Sequence, residues 1–151
     1  MTATTTFAAR PLIRLWSAPA RPTGPQRPLL CSIDDALGVI FVDLLSVDDA
    51  AAVIQALQQI RLSPSFRRDL SVCVDCRYLS RAPDVDNVRA MAELWPRGAM
   101  SDLTGRCAIV ASASWAYGSA RSFAAFARAR IDRVRVFDAC SDALLWLGVG
   151  R

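Results

Sequence analysis

Residues 105–148 read GRCAIVASASWAYGSARSFAAFARARIDRVRVFDACSDALLWLG, and this stretch decides the fold class. The apolar run Cys107–Ala111 predicts a buried strand. The spacing of apolar positions after Ser114 predicts a helix whose inward face holds Ala116, Ala120, Phe123 and Ala127. A second strand at Val134–Phe137 leads into a final helix that ends at Gly148, a residue type that stops helices. Two successive strand–helix units of this kind predict an α/β domain with parallel strands.

The residues before this stretch extend the same alternation. Leu29–Ile33 and Gly38–Leu45 read as two strands joined by a short turn, which predicts a β-hairpin. A helix capped by Ser46, a buried strand at Leu70–Cys76 and a helix opened by Pro83 come next. The order β-β-α-β-α-β-α-β-α predicts an opening β-hairpin followed by a right-handed β-α superhelix. The expected result is a mostly parallel sheet with helices packed on it.

The chain divides into a tail and one domain. Residues 1–27 are rich in proline and arginine and predict a loosely ordered tail. Within the tail, Pro11–Trp16 (PLIRLW) has the composition of a short extended piece that docks onto the domain. Residues 28–151 have the length of a single domain. The tail holds four arginines and no acid, so the net charge of +4 belongs to the tail and the domain is neutral.

Charge and hydropathy argue against two classes of partner. A neutral domain lacks the basic face with which proteins bind nucleic acid. No apolar run approaches the ~18 residues that a membrane span requires. The first residues also lack the apolar core of a secretory signal. We therefore expect a cytoplasmic protein that does not bind nucleic acid and does not span a membrane.

The composition also removes several kinds of catalysis. All 18 basic residues are arginine, and the chain has no lysine and no histidine. Ser-His-Asp and Cys-His catalysis, lysine Schiff bases and histidine metal sites are therefore excluded. The pair Cys73 and Cys76 has CxxC spacing but lies on a predicted strand, where residues three apart face opposite sides, and no second CxxC completes a zinc site. We expect all five cysteines to be reduced core residues, with no catalytic residue, metal or cofactor.

Three segments of the chain carry a resemblance to a known family. VCVDCR (72–77), GRCAIVASASWAYGSARSF (105–123) and VRVFDACSDALLWLG (134–148) resemble small bacterial proteins of the STAS-like fold. That fold is related in architecture to anti-sigma-factor antagonists and to CRAL-TRIO lipid-binding domains. The resemblance covers about residues 29–148, and most proteins with this pattern have no assigned activity.

The resemblance also implies a position for a regulatory site. In antagonist-type STAS domains a strand that ends in aspartate leads to a phosphorylatable serine at the next helix start. Asp75 matches the strand-end aspartate, but Asp84 stands where the serine is expected. This departure argues against phosphorylation there, and an aspartate at a helix start also has a structural explanation because it favours the helix dipole.

The carboxyl ends of parallel strands are where α/β domains place ligands and partners. We predict a binding rim at this edge, formed by Asp75, Arg77, Asp84, Ser112, Ser114, Tyr117, Arg121 and Asp138. A structural alternative is that Ser114 and Asp138 cap helices, while Tyr117 and Arg121, four residues apart, form a surface cation–π pair.

Three functions remain compatible with the sequence. The first is a non-enzymatic regulatory or protein-interaction module of STAS-like fold, whose partner is another protein or a second copy of the chain. The second is a domain that binds a small apolar or lipid-like ligand. The third is a hydrolase that uses aspartate and serine, although no GxSxG motif supports it. A flat rim over a closed core favours the first function, an apolar cavity the second, and a cleft with perturbed carboxylates the third.

Overall fold

A computed structural model describes residues 28–95, 102–127 and 133–149 of the chain. Within these residues five strands form one sheet, and four helices accompany it. The elements are β1 Leu29–Asp34, β2 Val39–Leu44, α1 Ala50–Gln58, β3 Ser71–Asp75, α2 Val85–Leu94, β4 Cys107–Val110, α3 Ser114–Ala127, β5 Val134–Phe137 and α4 Cys140–Leu147. A 3₁₀ turn, Gln59–Leu62, continues α1. The predicted tail, residues 1–27, lies outside the described residues.

The sheet confirms the predicted fold class. Its strand order is β1-β2-β3-β4-β5, with β1 antiparallel to β2 and every later neighbour parallel. The opening hairpin turns at Gly38, whose φ of 66° is a conformation that side chains disfavour. The Gly38 amide donates to the Asp34 carbonyl at 2.9 Å and closes the turn. This α/β arrangement is consistent with the STAS-like fold that the resemblance implied.

The sheet is buried on both faces, which explains its apolar strands. Alternate residues of each strand point to opposite faces, so Val72 and Val74 join one core and Cys73 joins another. The first and larger core packs the sheet against α1, α2 and α3, and the second packs it against α4. Cys76 lies in the first core, so Cys73 and Cys76 occupy opposite sides of the sheet, as the spacing predicted.

The helix starts differ from those predicted. The N-cap of α1 is Asp49, whose carboxylate accepts from the Ala52 amide at 3.1 Å, and not Ser46. The Ser46 hydroxyl instead accepts from the Asp48 amide at 3.3 Å, in a turn before the helix. The Ser46 amide, like that of Leu45, donates to the Pro28 carbonyl, which holds this segment beside β1. The helix therefore begins about one turn later than the sequence pattern suggested.

Two more predicted caps are wrong. The Tyr117 amide donates to the Ala113 carbonyl at 2.8 Å, which places Ala113 at the N-cap of α3 and Ser114 one residue inside the helix. In α4 the N-cap is Ala139, which is still extended, so Asp138 lies outside the cap position and no side chain caps this helix. The predicted end of α4 is confirmed, since Gly148 adopts the left-handed conformation with φ of 88°.

The helix faces follow the sequence pattern with one exception. The predicted inward positions of α3 are all buried, namely Ala116, Ala120, Phe123 and Ala127. In α2 the apolar residues Val88, Met91 and Ala92 are buried, but Val85, the first residue of the helix, is 58% exposed.

Candidate interaction site

An ion pair lies at the carboxyl edge of the sheet, the edge at which β2–β5 end. Asp75 is the last residue of β3, and the Arg77 side chain folds back onto it two residues later. Arg77 Nη2 lies 2.7 Å from Asp75 Oδ2, and Arg77 Nε lies 3.0 Å from Oδ1. The Arg77 amide also donates to Oδ1 at 3.0 Å. These contacts raise the pKa of Arg77 above its usual value and fix the orientation of the guanidinium.

A second carboxylate ends the neighbouring strand. Asp43 is in register with Asp75, and residues in register on parallel strands point to the same face. Asp75 lies two residues after Cys73, so both carboxylates are on the α4 side of the sheet. Asp43 is only 2% exposed and Asp75 is 7% exposed. The sequence analysis missed Asp43, although it is the only polar residue in the otherwise apolar segment VIFVDL of β2.

The structure splits the predicted rim into two groups. Ser112 follows β4 and Asp138 follows β5, and both are exposed at the same carboxyl edge as Arg77. Asp84 is separate, because it caps α2, which packs on the opposite face of the sheet from Asp75. Its carboxylate accepts from the Asp86 amide at 2.9 Å.

Two of the rim residues of α3, Tyr117 and Arg121, do not form the predicted cation–π pair. Tyr117 is half-buried and Arg121 is exposed. Among the described residues, the cation–π contact of this helix joins Arg89 of α2 to Phe126, 5.2 Å from the ring centroid. Arg121 thus remains a solvent-facing part of the predicted rim, together with the exposed Ser114 at the start of α3.

Burial raises the pKa of the thiols in the two cores. Cys140, the first residue of α4, has a pKa raised by burial, although the nearby Arg77 acts in the opposite direction. Burial raises the pKa of Cys76 and of Cys107 to about 12. The pKa of Cys73 is also raised, chiefly by burial. All these thiols are protonated at neutral pH, and the reactive form of cysteine is the thiolate.

An apolar cavity of about 60 Å³ lies between the sheet and the helices α1, α2 and α3. Apart from the hydroxyl of Ser119, its lining consists of apolar side chains. Leu79, Pro83 and Ser119 are the half-buried members of the lining, so they mark its open side near the carboxyl edge. No sequence pattern predicts this cavity, because it depends on how three helices pack against one another.

Charged residues surround the open side of the apolar cavity. Arg81 Nη2 lies 2.5 Å from Asp48 Oδ2, and Asn87 Nδ2 donates to the Asp48 carbonyl at 3.1 Å. These contacts link the segment before α1 to α2. The hydrogen bond from Arg81 lowers the pKa of Asp48. Asp49, at the N-cap of α1, is also exposed in this region.

Within the described residues, no cluster of acidic and cysteine side chains has the make-up of a metal site. Across the same residues, none of the helices combines the length and apolar character that crossing a membrane requires.

Comparison with known proteins gives one weak structural likeness. No protein family model matches the chain, and no curated protein matches it. Among solved structures, SLC26A9 is similar over 74% of this chain, with a TM-score of 0.47 and 14% sequence identity. The matched region is 20% of the SLC26A9 chain, and we base no argument on this likeness.

Proposed function

We propose that this domain is a non-catalytic protein-interaction module and that its partner binds at the carboxyl edge, over Asp75 and Arg77. The observation that carries this proposal is the oriented ion pair at that edge. The Asp75 side chain is 10% exposed and that of Arg77 is 20% exposed, so a partner can still reach the guanidinium. An ion pair this buried adds little net stability compared with apolar residues of similar size, which favours a role in recognition.

The surroundings of Arg77 support the same proposal. The first-turn amides of α4 have no side-chain cap, and Ser112 and Asp138 are exposed beside them. Together with Arg77, these amides and the Ser112 hydroxyl offer hydrogen-bond donors to the carboxylates or carbonyls of a partner, and the Asp138 carboxylate offers an acceptor. The protonated thiols and the absence of histidine and lysine from the sequence favour binding over catalysis.

The proposal is tested with two matched pairs of substitutions. Asp75→Asn and Arg77→Gln alter the pair at the carboxyl edge, and Asp35→Asn and Arg67→Gln alter an exposed pair at the opposite edge, where Arg67 Nη1 lies 3.2 Å from Asp35 Oδ1. A partner is first isolated by native mass spectrometry of the protein purified from its own host, and its affinity for each variant is then titrated.

We expect at least a roughly tenfold loss of affinity for the carboxyl-edge variants and no change for the controls. Equal affinities for all four folded variants would place the partner elsewhere. Purification of the bare chain under gentle conditions, with no partner at any salt concentration, would contradict the proposal itself.

The apolar cavity favours a second candidate function, the binding of a small apolar ligand. Its volume of about 60 Å³ is well below the ~150 Å³ of a cavity that holds benzene. In this conformation it therefore admits only a few carbon atoms, which is less than a lipid-like ligand requires.

A further inference from the structure

The apolar cavity has the size of a socket for one side chain. Its walls are buried apolar groups, and its open side lies among Leu79, Pro83 and Ser119. Wall atoms without a neighbour lose their dispersion contacts, so an apolar group that fills the space is favoured. A volume of about 60 Å³ suits the end of one aliphatic side chain.

The chain joins the domain beside this cavity. The Pro28 carbonyl accepts hydrogen bonds from the amides of Leu45, at 2.8 Å, and Ser46, at 3.1 Å. The residues on either side of that pair, Leu44 and Val47, line the apolar cavity. Residues 1–27 are therefore tethered next to it.

The tether is long enough for the tail to reach the open side. Trp16 precedes Pro28 by 12 positions, which span up to about 40 Å when extended. The full length of α3, 14 residues, is only about 21 Å. Any point around the open side is thus within reach of Pro11–Trp16.

The composition of the tail matches what surrounds the cavity. Pro11–Trp16 holds three aliphatic side chains, Leu12, Ile13 and Leu15, and is the most apolar part of residues 1–27. The tail carries four arginines and no acid. The segments that carry the lining residues Val47 and Pro83 also carry four exposed carboxylates and one arginine, namely Asp48, Asp49, Asp84, Asp86 and Arg81, while Arg121 lies two positions after Ser119. The aliphatic side chains of the tail therefore match the apolar cavity, and the tail arginines match the carboxylates beside it.

We propose that Pro11–Trp16 binds across the open side of the apolar cavity, inserts one aliphatic side chain and sets the tail arginines against the surrounding carboxylates. This contact does not depend on the proposed function.

The sequence supplies a selective probe of this contact. Trypsin cleaves after arginine but very poorly where proline follows, and Arg10, Arg21 and Arg27 are each followed by proline. The bond between Arg14 and Leu15 is therefore the one readily cleaved bond of residues 1–27, and it lies inside the proposed contact. Release of residues 1–14 from the full chain, followed by mass spectrometry, reports directly on binding of the segment.

In the full chain we expect this bond to be cleaved at least about tenfold more slowly than in a synthetic peptide of residues 8–20, because the protease acts only on the detached segment. Ser119→Leu fills the cavity from α3 and should abolish the protection. Ala125→Leu, on the exposed side of the same helix, should retain it. The double variant Leu12→Gln/Trp16→Gln should also lose it, after normalisation to a peptide with the same changes.

The melting temperature of each variant, measured alongside cleavage, shows whether that variant is folded. Cleavage of the unaltered chain at the peptide rate overturns the proposal. So does full protection in folded Ser119→Leu or in Leu12→Gln/Trp16→Gln. If Ser119→Leu does not fold, the tail variant decides alone, because its changes lie outside the domain. Protection that disappears on dilution of about tenfold assigns the contact to a second copy and overturns binding within one chain.

Discussion

Gly105 lies so close to Leu70 that a Cβ atom at position 105 would be 2.2 Å from the Leu70 carbonyl oxygen. The two residues precede the neighbouring strands β3 and β4, and the Arg106 amide donates to Ser71 Oγ at 3.1 Å in the same place. Gly105→Ala forces backbone against backbone, so we expect a loss of about 1–3 kcal/mol in the free energy of unfolding. Urea denaturation with an unchanged m-value measures this loss.

Gly118 provides the opposite case for comparison. It lies inside α3, and a Cβ there would meet no atom within 4 Å. Gly118→Ala removes the entropic penalty of glycine in a helix and should add about 0.5–1 kcal/mol to the free energy of unfolding. An unchanged or raised stability of Gly105→Ala would contradict the close approach at Gly105, and a loss in Gly118→Ala would contradict the open space at Gly118.

A serine at position 139 should stabilise α4. Ala139 has the extended backbone of an N-cap but no side chain that can accept a hydrogen bond. Ala139→Ser supplies that acceptor, and we expect a gain of about 1 kcal/mol in the free energy of unfolding. The converse control is Asp49→Ala, which removes the existing cap of α1 and should cost a similar amount. Thermal denaturation of both variants measures the expected gain and the expected loss of stability. An Ala139→Ser variant with unchanged stability would contradict the assignment of Ala139 as the N-cap.

Arg77→Ala should destabilise the domain much more than Arg67→Ala. Removal of Arg77 leaves the buried Asp75 carboxylate without its main partner, at a cost of about 2–3 kcal/mol. Arg67 pairs with Asp35 and Asp69 on the exposed surface, where such pairs contribute less than about 1 kcal/mol. Chemical denaturation compares the two, and equal losses would show that the Asp75 carboxylate finds other partners.

The buried thiols predict a loss of stability in alkali. Burial raises the pKa of Cys107 from its ordinary value of 9.0 to about 12, so the folded state holds a proton that the unfolded state releases. This contribution is fully present below pH 9 and is lost as pH rises from about 9 to 12. Near pH 10 the resulting loss in the free energy of unfolding amounts to about 1 kcal/mol for one thiol. Cys107→Ala should flatten the fall of the unfolding free energy between pH 8 and pH 10, and an unchanged slope would contradict the burial of this thiol.

Most of the fold was predictable because the signals are local. Strands buried on both faces must be apolar throughout, which marks segments such as Cys107–Val110 without knowledge of their neighbours. The inward face of α3 repeats with helical period and was identified correctly. Gly148 ends α4 in the left-handed conformation that glycine adopts most readily.

What the sequence did not reveal depends on distant partners. Ser46 has the side chain of a helix cap, but its segment is held by the Pro28 carbonyl, 18 positions earlier, and its hydroxyl accepts from Asp48 before the helix begins. Asp43 and Asp75 lie side by side because of the register between β2 and β3, although they are 32 positions apart in the sequence. The apolar cavity exists only once three helices have packed on the sheet. None of these relationships has a periodic pattern that a single sequence displays.

The strand order of the sheet has a consequence for how the chain folds. Each strand pairs with the one that precedes it in the sequence, so no strand waits for a segment from the far end of the chain. A nascent chain that has emerged as far as α2 already contains three adjacent strands and the helices that cover one of their faces. Synthesis from the amino terminus can therefore add β4 with α3, and then β5 with α4, to a sheet already in place. The open strand edge during synthesis moves steadily from β2 to β5, and each new strand covers the edge that the last one exposed.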